Sequence, residues 1–201
     1  MMATRPRMIG LCGAALWLMV VSLGFFLLSL WMVDTSKARN LFFVVAVAAV
    51  APIAINILII RSVLQLPNNT SGEQMAVRRS MHRRFLIVVG GEVAAFIIVN
   101  PVCAVMRHYE IIVPLDVLIV GIHFLPLAWI FQVPRYYLMG VLFCLVAALT
   151  LFVVPESMHF GRVRAWYVFP GLGSAPVAWV TAWANLWEAW KFVRISRTNS
   201  R

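Results

Sequence analysis

Residues 111–131 read IIVPLDVLIVGIHFLPLAWIF, and this stretch decides the fold. About 20 predominantly apolar residues are needed to cross the hydrocarbon core of a bilayer, and the stretch is that long. It also carries Asp116, His123 and Pro126 where lipid favours Leu, Ile and Val. An ionisable side chain at mid-membrane costs roughly 2.5–3.5 kcal/mol on insertion scales, so such groups face a protein interior or a water-filled cavity. The stretch therefore predicts both a membrane span and further protein around it to shield its polar residues.

The rest of the chain supplies that protein. Of 201 residues 63% are hydrophobic and only 12% charged, far from the balance of a soluble domain. The charges gather in clusters that separate six apolar segments, at about 8–33, 40–60, 85–106, 111–131, 136–155 and 165–187. No run of about ten residues alternates in polarity as a transmembrane β-barrel requires. The expected fold is all-α: one integral membrane domain over residues 1–201, a polytopic transmembrane bundle of six helices. The first segment is too long for the apolar region of a cleaved signal peptide and is read as a retained helix.

The formal net charge of +10 is explained by where the basic residues fall. With the N-terminus in the cytoplasm, that side receives Arg5, Arg7, Arg61, Arg78, Arg79, Arg83, Arg84, Arg135, Lys191, Arg194, Arg197 and Arg201. Lys37, Arg39, Arg107, Arg162 and Arg164 remain on the far side. This positive-inside bias predicts cytoplasmic N- and C-termini and leaves no need for a nucleic-acid partner. The lipid bilayer is the expected environment, and the oligomeric state is left open. The connection 61–84 holds Asn68 and Asn69 in Asn-x-Ser/Thr patterns, which a cytoplasmic placement makes irrelevant as glycosylation acceptors.

Within the membrane the polar residues fall into layers. At a rise of about 1.5 Å per residue, Glu92 lies about 10 Å in from the cytoplasmic boundary and Asn100 about 22 Å in. Segment four runs the other way, which puts Asp116 about 8 Å and His123 about 18 Å below the outer boundary of a core about 30 Å thick. Glu92 then shares a level with His123, and Asn100 with Asp116. Asp116 and His123 are two helical turns apart and so lie on one face. Asn56, on one face with Pro52 in segment two, falls at a depth from which it joins the inner pair or makes an interhelical bond.

A buried acid beside an imidazole can share a proton or form an ion pair, the usual material of a proton relay. The same residues can instead hold two helices in register. Cys12, Cys103 and Cys144 lie in different apolar segments with no ligand spacing, so neither a metal nor another cofactor is expected. Gly171–Leu172–Gly173–Ser174–Ala175 lacks the glycine after serine, and the histidine, of a rhomboid-type protease. In segment six Trp179, Trp183, Trp187 and Trp190 form one row and Ser174, Ala178 and Ala182 another, which predicts a helix packed closely on one side and presenting indoles on another. Gly10, Gly13 and Ala14 are likewise expected to permit close helix approach in segment one.

The run Gly121, Ile122, His123, Phe124, Leu125, Pro126, Leu127 and Ala128, with Tyr136, Tyr137 and Gly140 after it, resembles an uncharacterised group of small bacterial polytopic inner-membrane proteins. That resemblance implies the same membrane placement and transfers no catalytic residues. Two functional classes fit the residues. One is a permease for a small solute or a proton with Glu92, His123, Asp116, Asn100 and Asn56 lining a polar cavity. The other is a non-catalytic partner subunit or sensor in which these residues only fix helix packing.

Overall fold

The computed structural model describes residues 5–32, 36–65, 72–160 and 163–198. Long helices dominate, because a chain in lipid must satisfy its backbone hydrogen bonds within each segment. They are α1 (Arg5–Met32), α2 (Ser36–Leu64), α3 (Gly72–Val105), α4 (Ile112–Phe131), α5 (Arg135–Phe152) and α6 (Ala165–Thr198). A 3-10 turn, Tyr109–Ile111, leads into α4, and a two-stranded antiparallel hairpin, β1 (His159–Phe160) with β2 (Val163–Arg164), leads into α6. The protein is thus an all-helical polytopic membrane bundle.

Each apolar segment coincides with a helix, but α2, α3 and α6 run past the boundaries expected from hydropathy. The 34 residues of α3 and of α6 make helices about 51 Å long, well over the hydrocarbon thickness of about 30 Å. Polar side chains outside the core do not end a helix, so most of the connection 61–84 is helical. Its Asn-x-Ser/Thr patterns lie outside the described residues.

Among the described residues five helices, α1 to α5, are long and apolar enough to cross a membrane by length and composition. α6 falls short of that measure, diluted by Pro170, Pro176, Asn185 and its tryptophans. Its position explains why it tolerates them. α6 packs against α1, α5, α2 and α4, most extensively against α1, so protein covers much of its surface. Around it the helices follow the order α3, α4, α5, α6, α1, α2, with α3 resting mainly on α4.

The two rows of α6 separate as their spacing predicts. Ser174, Ala178 and Ala182 are buried, whereas Trp183, Trp187 and Trp190 are exposed and Trp179 is half-buried. The main core gathers at one end of the bundle, where Met8 and Cys12 of α1, Val63 of α2, Met139 of α5 and Leu186 of α6 meet. Tyr136 is buried there too, beside the exposed Tyr137. Three buried hydroxyls are satisfied within their own helices: Thr150 donates to the Val146 carbonyl at 2.8 Å, Ser174 to Pro170 at 2.7 Å and Thr181 to Val177 at 2.9 Å. Interhelical polar contacts are made by amides, charged groups and the Tyr136 hydroxyl.

Close approach through glycine is not found at Gly10 and Gly13 of α1. Those two glycines have open space beside them, whereas Ala14 packs against the core. The backbones come together instead between α4 and α5, where a Cβ on Gly121 would lie 2.9 Å from the Gly140 carbonyl oxygen and 2.9 Å from the Cys144 nitrogen. Phe124, one turn along α4, stacks edge-on against Tyr136 and Phe143 of α5. α4 is thereby held against α5 on one side and presents another side to α3.

Candidate functional site: the polar seam between α3 and α4

α3 and α4 are consecutive antiparallel helices joined by a short turn. Arg107 adopts a left-handed backbone (φ 62°), and the His108 N–H caps the Cys103 carbonyl at 2.9 Å, reversing the chain within a few residues. Residues equidistant from that turn face one another. His123 Nδ1 lies 3.4 Å from Glu92 Oε2, with side chains only 8% and 19% exposed. One level nearer the turn, Asn100 and Asp116 stand opposite each other, close enough to interact. Glu92 thus meets His123 at the level that depth arithmetic gives, and Asn100 and Asp116 share the next.

Neither pair is saturated. The Glu92–His123 separation is an ion-pair distance without the alignment of a hydrogen bond, and His123 Nδ1 has no hydrogen-bond partner. Asn100 Oδ1 and Asp116 Oδ1 are buried and equally unpartnered. Nearer the turn's own surface, Glu110 bridges His108 at 3.0 Å and Arg164 of β2 at 3.8 Å, tying the α3–α4 connection to the hairpin before α6.

Asn56 belongs to a different seam. Its Nδ2 donates to the Cys12 carbonyl at 3.3 Å, linking α2 to α1, so the expectation that it joins Glu92 and His123 is corrected. The depth was compatible, but α2 packs on α1 and α6 while α3 packs on α4. The alternative expectation, an interhelical bond from Asn56, is the one realised. Asn56 is fully buried and its Oδ1 has no partner.

A second polar assembly was not anticipated. Glu188 of α6 accepts from Arg7 of α1 at 3.1 Å and from Arg135 of α5 at 2.8 Å. Arg135 Nε also donates to Asn185 Oδ1 at 2.6 Å, and Asn185 Nδ2 donates to the Tyr136 hydroxyl at 3.0 Å. The network clamps α1, α5 and α6 at the core end of the bundle. The sequence did hold a signal for it: Asn185 and Glu188 are three residues apart on the side of α6 that the tryptophans leave free. Ending segment six at Trp187 put Glu188 out of view.

Among the described residues no three His, Cys, Asp or Glu side chains converge as a metal site would require. Cys12, Cys103 and Cys144 are free thiols on separate helices.

Residues 80–173 match the model of a family described as a family of unknown function, DUF7010. The match runs from α3 into the start of α6 and includes Glu92, Asn100, Asp116, Gly121, His123 and Gly140. No curated protein and no solved structure matches the chain.

Proposed function

We propose that the protein is a non-catalytic component of a cell inner membrane, a partner subunit or sensor, whose buried polar residues fix the register of its helices. The observation that carries this reading is that the intramembrane polar residues meet across helix seams: Glu92 with His123, Asn100 with Asp116, Asn56 with the Cys12 carbonyl. In this reading all six helices span, α6 as the protein-covered central one, and both termini are cytoplasmic. The distribution of arginine and lysine supports that orientation.

The test is thermal melting of the full chain in detergent. Glu92→Gln and His123→Ala are each expected to lower the melting temperature. A His123→Ala protein as stable as the parent would overturn the packing role.

One observation favours a second reading, a permease for a proton or small solute. His123 Nδ1, Asp116 Oδ1 and Asn100 Oδ1 are three buried polar atoms of one seam with hydrogen-bonding capacity to spare. Proteoliposomes separate the two readings. Flux that is present in the parent and lost in folded Glu92→Gln supports the permease; absence of flux in the parent supports the packing role.

A further inference from the structure

The cytoplasm-directed end of α6 carries a surface that helix packing does not use. Trp187 and Trp190 are exposed and stacked, with ring centroids 5.1 Å apart and planes 26° from parallel. Lys191 Nζ lies 5.3 Å over the Trp187 ring and the Arg194 guanidinium 5.6 Å over that of Trp190. Trp183, one turn nearer the membrane centre, is exposed on the same side. Two cations thus rest on a shelf of indole.

Among the described residues neither cation has a carboxylate partner. The one acid of α6, Glu188, is held on another side of the helix by Arg7 and Arg135. Lys191 and Arg194 therefore present uncompensated positive charge, steadied by the ring faces beneath them.

Their depth matches a lipid headgroup. Measured along α6 from Ala165 at about 1.5 Å per residue, Trp187 is about 33 Å, Trp190 about 38 Å and Arg194 about 44 Å away. The hydrocarbon core is about 30 Å thick and the bilayer with its headgroups about 40–45 Å. With Ala165 at the outer edge of the headgroup layer, the indoles sit about the inner hydrocarbon boundary and the cations within the inner headgroup layer. The same construction recurs at this end of the bundle, where Arg84 of α3 lies 5.2 Å over the exposed Trp129 of α4.

We infer that Trp187, Trp190, Lys191 and Arg194 form a binding site for the headgroup of an anionic phospholipid. The guanidinium and ammonium donate to the phosphate diester, and the indole faces carry the glycerol and the first acyl carbons. A zwitterionic lipid brings its own cation to the same place and is disfavoured. The site goes beyond the packing role of the polar seams and shares no residue with them.

Native mass spectrometry of the full chain, released from micelles with equal phosphatidylglycerol and phosphatidylcholine, tests this. The parent is expected to retain phosphatidylglycerol at least fivefold over phosphatidylcholine. Lys191→Gln with Arg194→Gln is expected to abolish most of that preference while the detergent melting temperature stays within a few degrees. If the double variant does not fold, each single substitution is expected to lose about half of the preference. Equal retention of the two lipids by the parent overturns the site. So does an undiminished preference in a folded variant, since the two basic residues would then serve orientation alone.

Discussion

Gly121 and Gly140 meet backbone to backbone: a Cβ on Gly140 would lie 2.7 Å from the Gly121 carbonyl oxygen, and one on Gly121 would lie 2.8 Å from Cys144 Sγ. The contact sets the distance between α4 and α5 and therefore the side of α4 on which His123 emerges. Main-chain atoms cannot rotate away as a flexible side chain does. Gly121→Ala is thus expected to reach at least the upper part of the roughly 1–3 kcal/mol range of overpacked cores. Gly10→Ala and Gly13→Ala add a methyl group in open space and are expected to be neutral, or stabilising by up to about 1 kcal/mol, because alanine is the better helix former. Melting of the three variants in one detergent checks this, and a Gly121→Ala protein as stable as Gly10→Ala would contradict it.

Glu92 and His123 are coupled across the α3–α4 seam, and a double-mutant cycle measures by how much. Interhelical polar contacts in membranes average about 0.6 kcal/mol and reach about 1.7 kcal/mol. The 3.4 Å separation without hydrogen-bond alignment places this pair toward the lower figure. Each single substitution should destabilise, and the double variant should cost less than the sum of the two. Strict additivity would mean that the two groups do not interact in the folded protein.

The polar pairs were legible because the physics that places them is nearly one-dimensional. A fixed rise per residue and a tight antiparallel turn determine which residues of α3 and α4 share a level. Asn56 shows where that reasoning stops: depth gives a level but does not say which helices are neighbours, and α2 lies against α1 instead of α3. The glycines show the same limit. Small residues permit close approach wherever they occur, and only the assembled bundle decides that Gly121 and Gly140 use it while Gly10 and Gly13 do not. Glu188 was lost for a different reason, since hydropathy marks the edge of the membrane and α6 does not end there.

Asn56 offers a test of whether the α1–α2 seam holds anything besides protein. Its amide makes one interhelical bond, and its Oδ1 is buried without a partner. Asn56→Leu removes a hydrogen bond worth about 1 kcal/mol together with an unsatisfied carbonyl that costs about 1–3 kcal/mol, so the exchange should be neutral or stabilising. A loss of more than about 2 kcal/mol on melting would mean that the oxygen has a partner in the working protein, such as bound water or a solute.

Glu188 stands between two arginines on different helices, so its removal should cost more than that of either arginine alone. Its contacts with Arg7 and Arg135 span 3.1 and 2.8 Å, with the three side chains 26–32% exposed. Hydrogen bonds to charged groups contribute about 1.5–3 kcal/mol, and partial exposure moves each of these to the low end. Glu188→Gln keeps the shape but loses the charge, leaving Arg7 and Arg135 facing each other uncompensated where α1, α5 and α6 join. Arg7→Gln loses a single contact and leaves the Arg135–Glu188 pair intact. The expected order of melting temperatures is parent, then Arg7→Gln, then Glu188→Gln. Combining Arg7→Leu and Arg135→Leu with Glu188→Leu should recover part of the Glu188→Gln loss, because apolar residues at all three positions leave no unpaired charge behind. A Glu188→Gln protein at least as stable as Arg7→Gln would show that the carboxylate does not bridge the three helices.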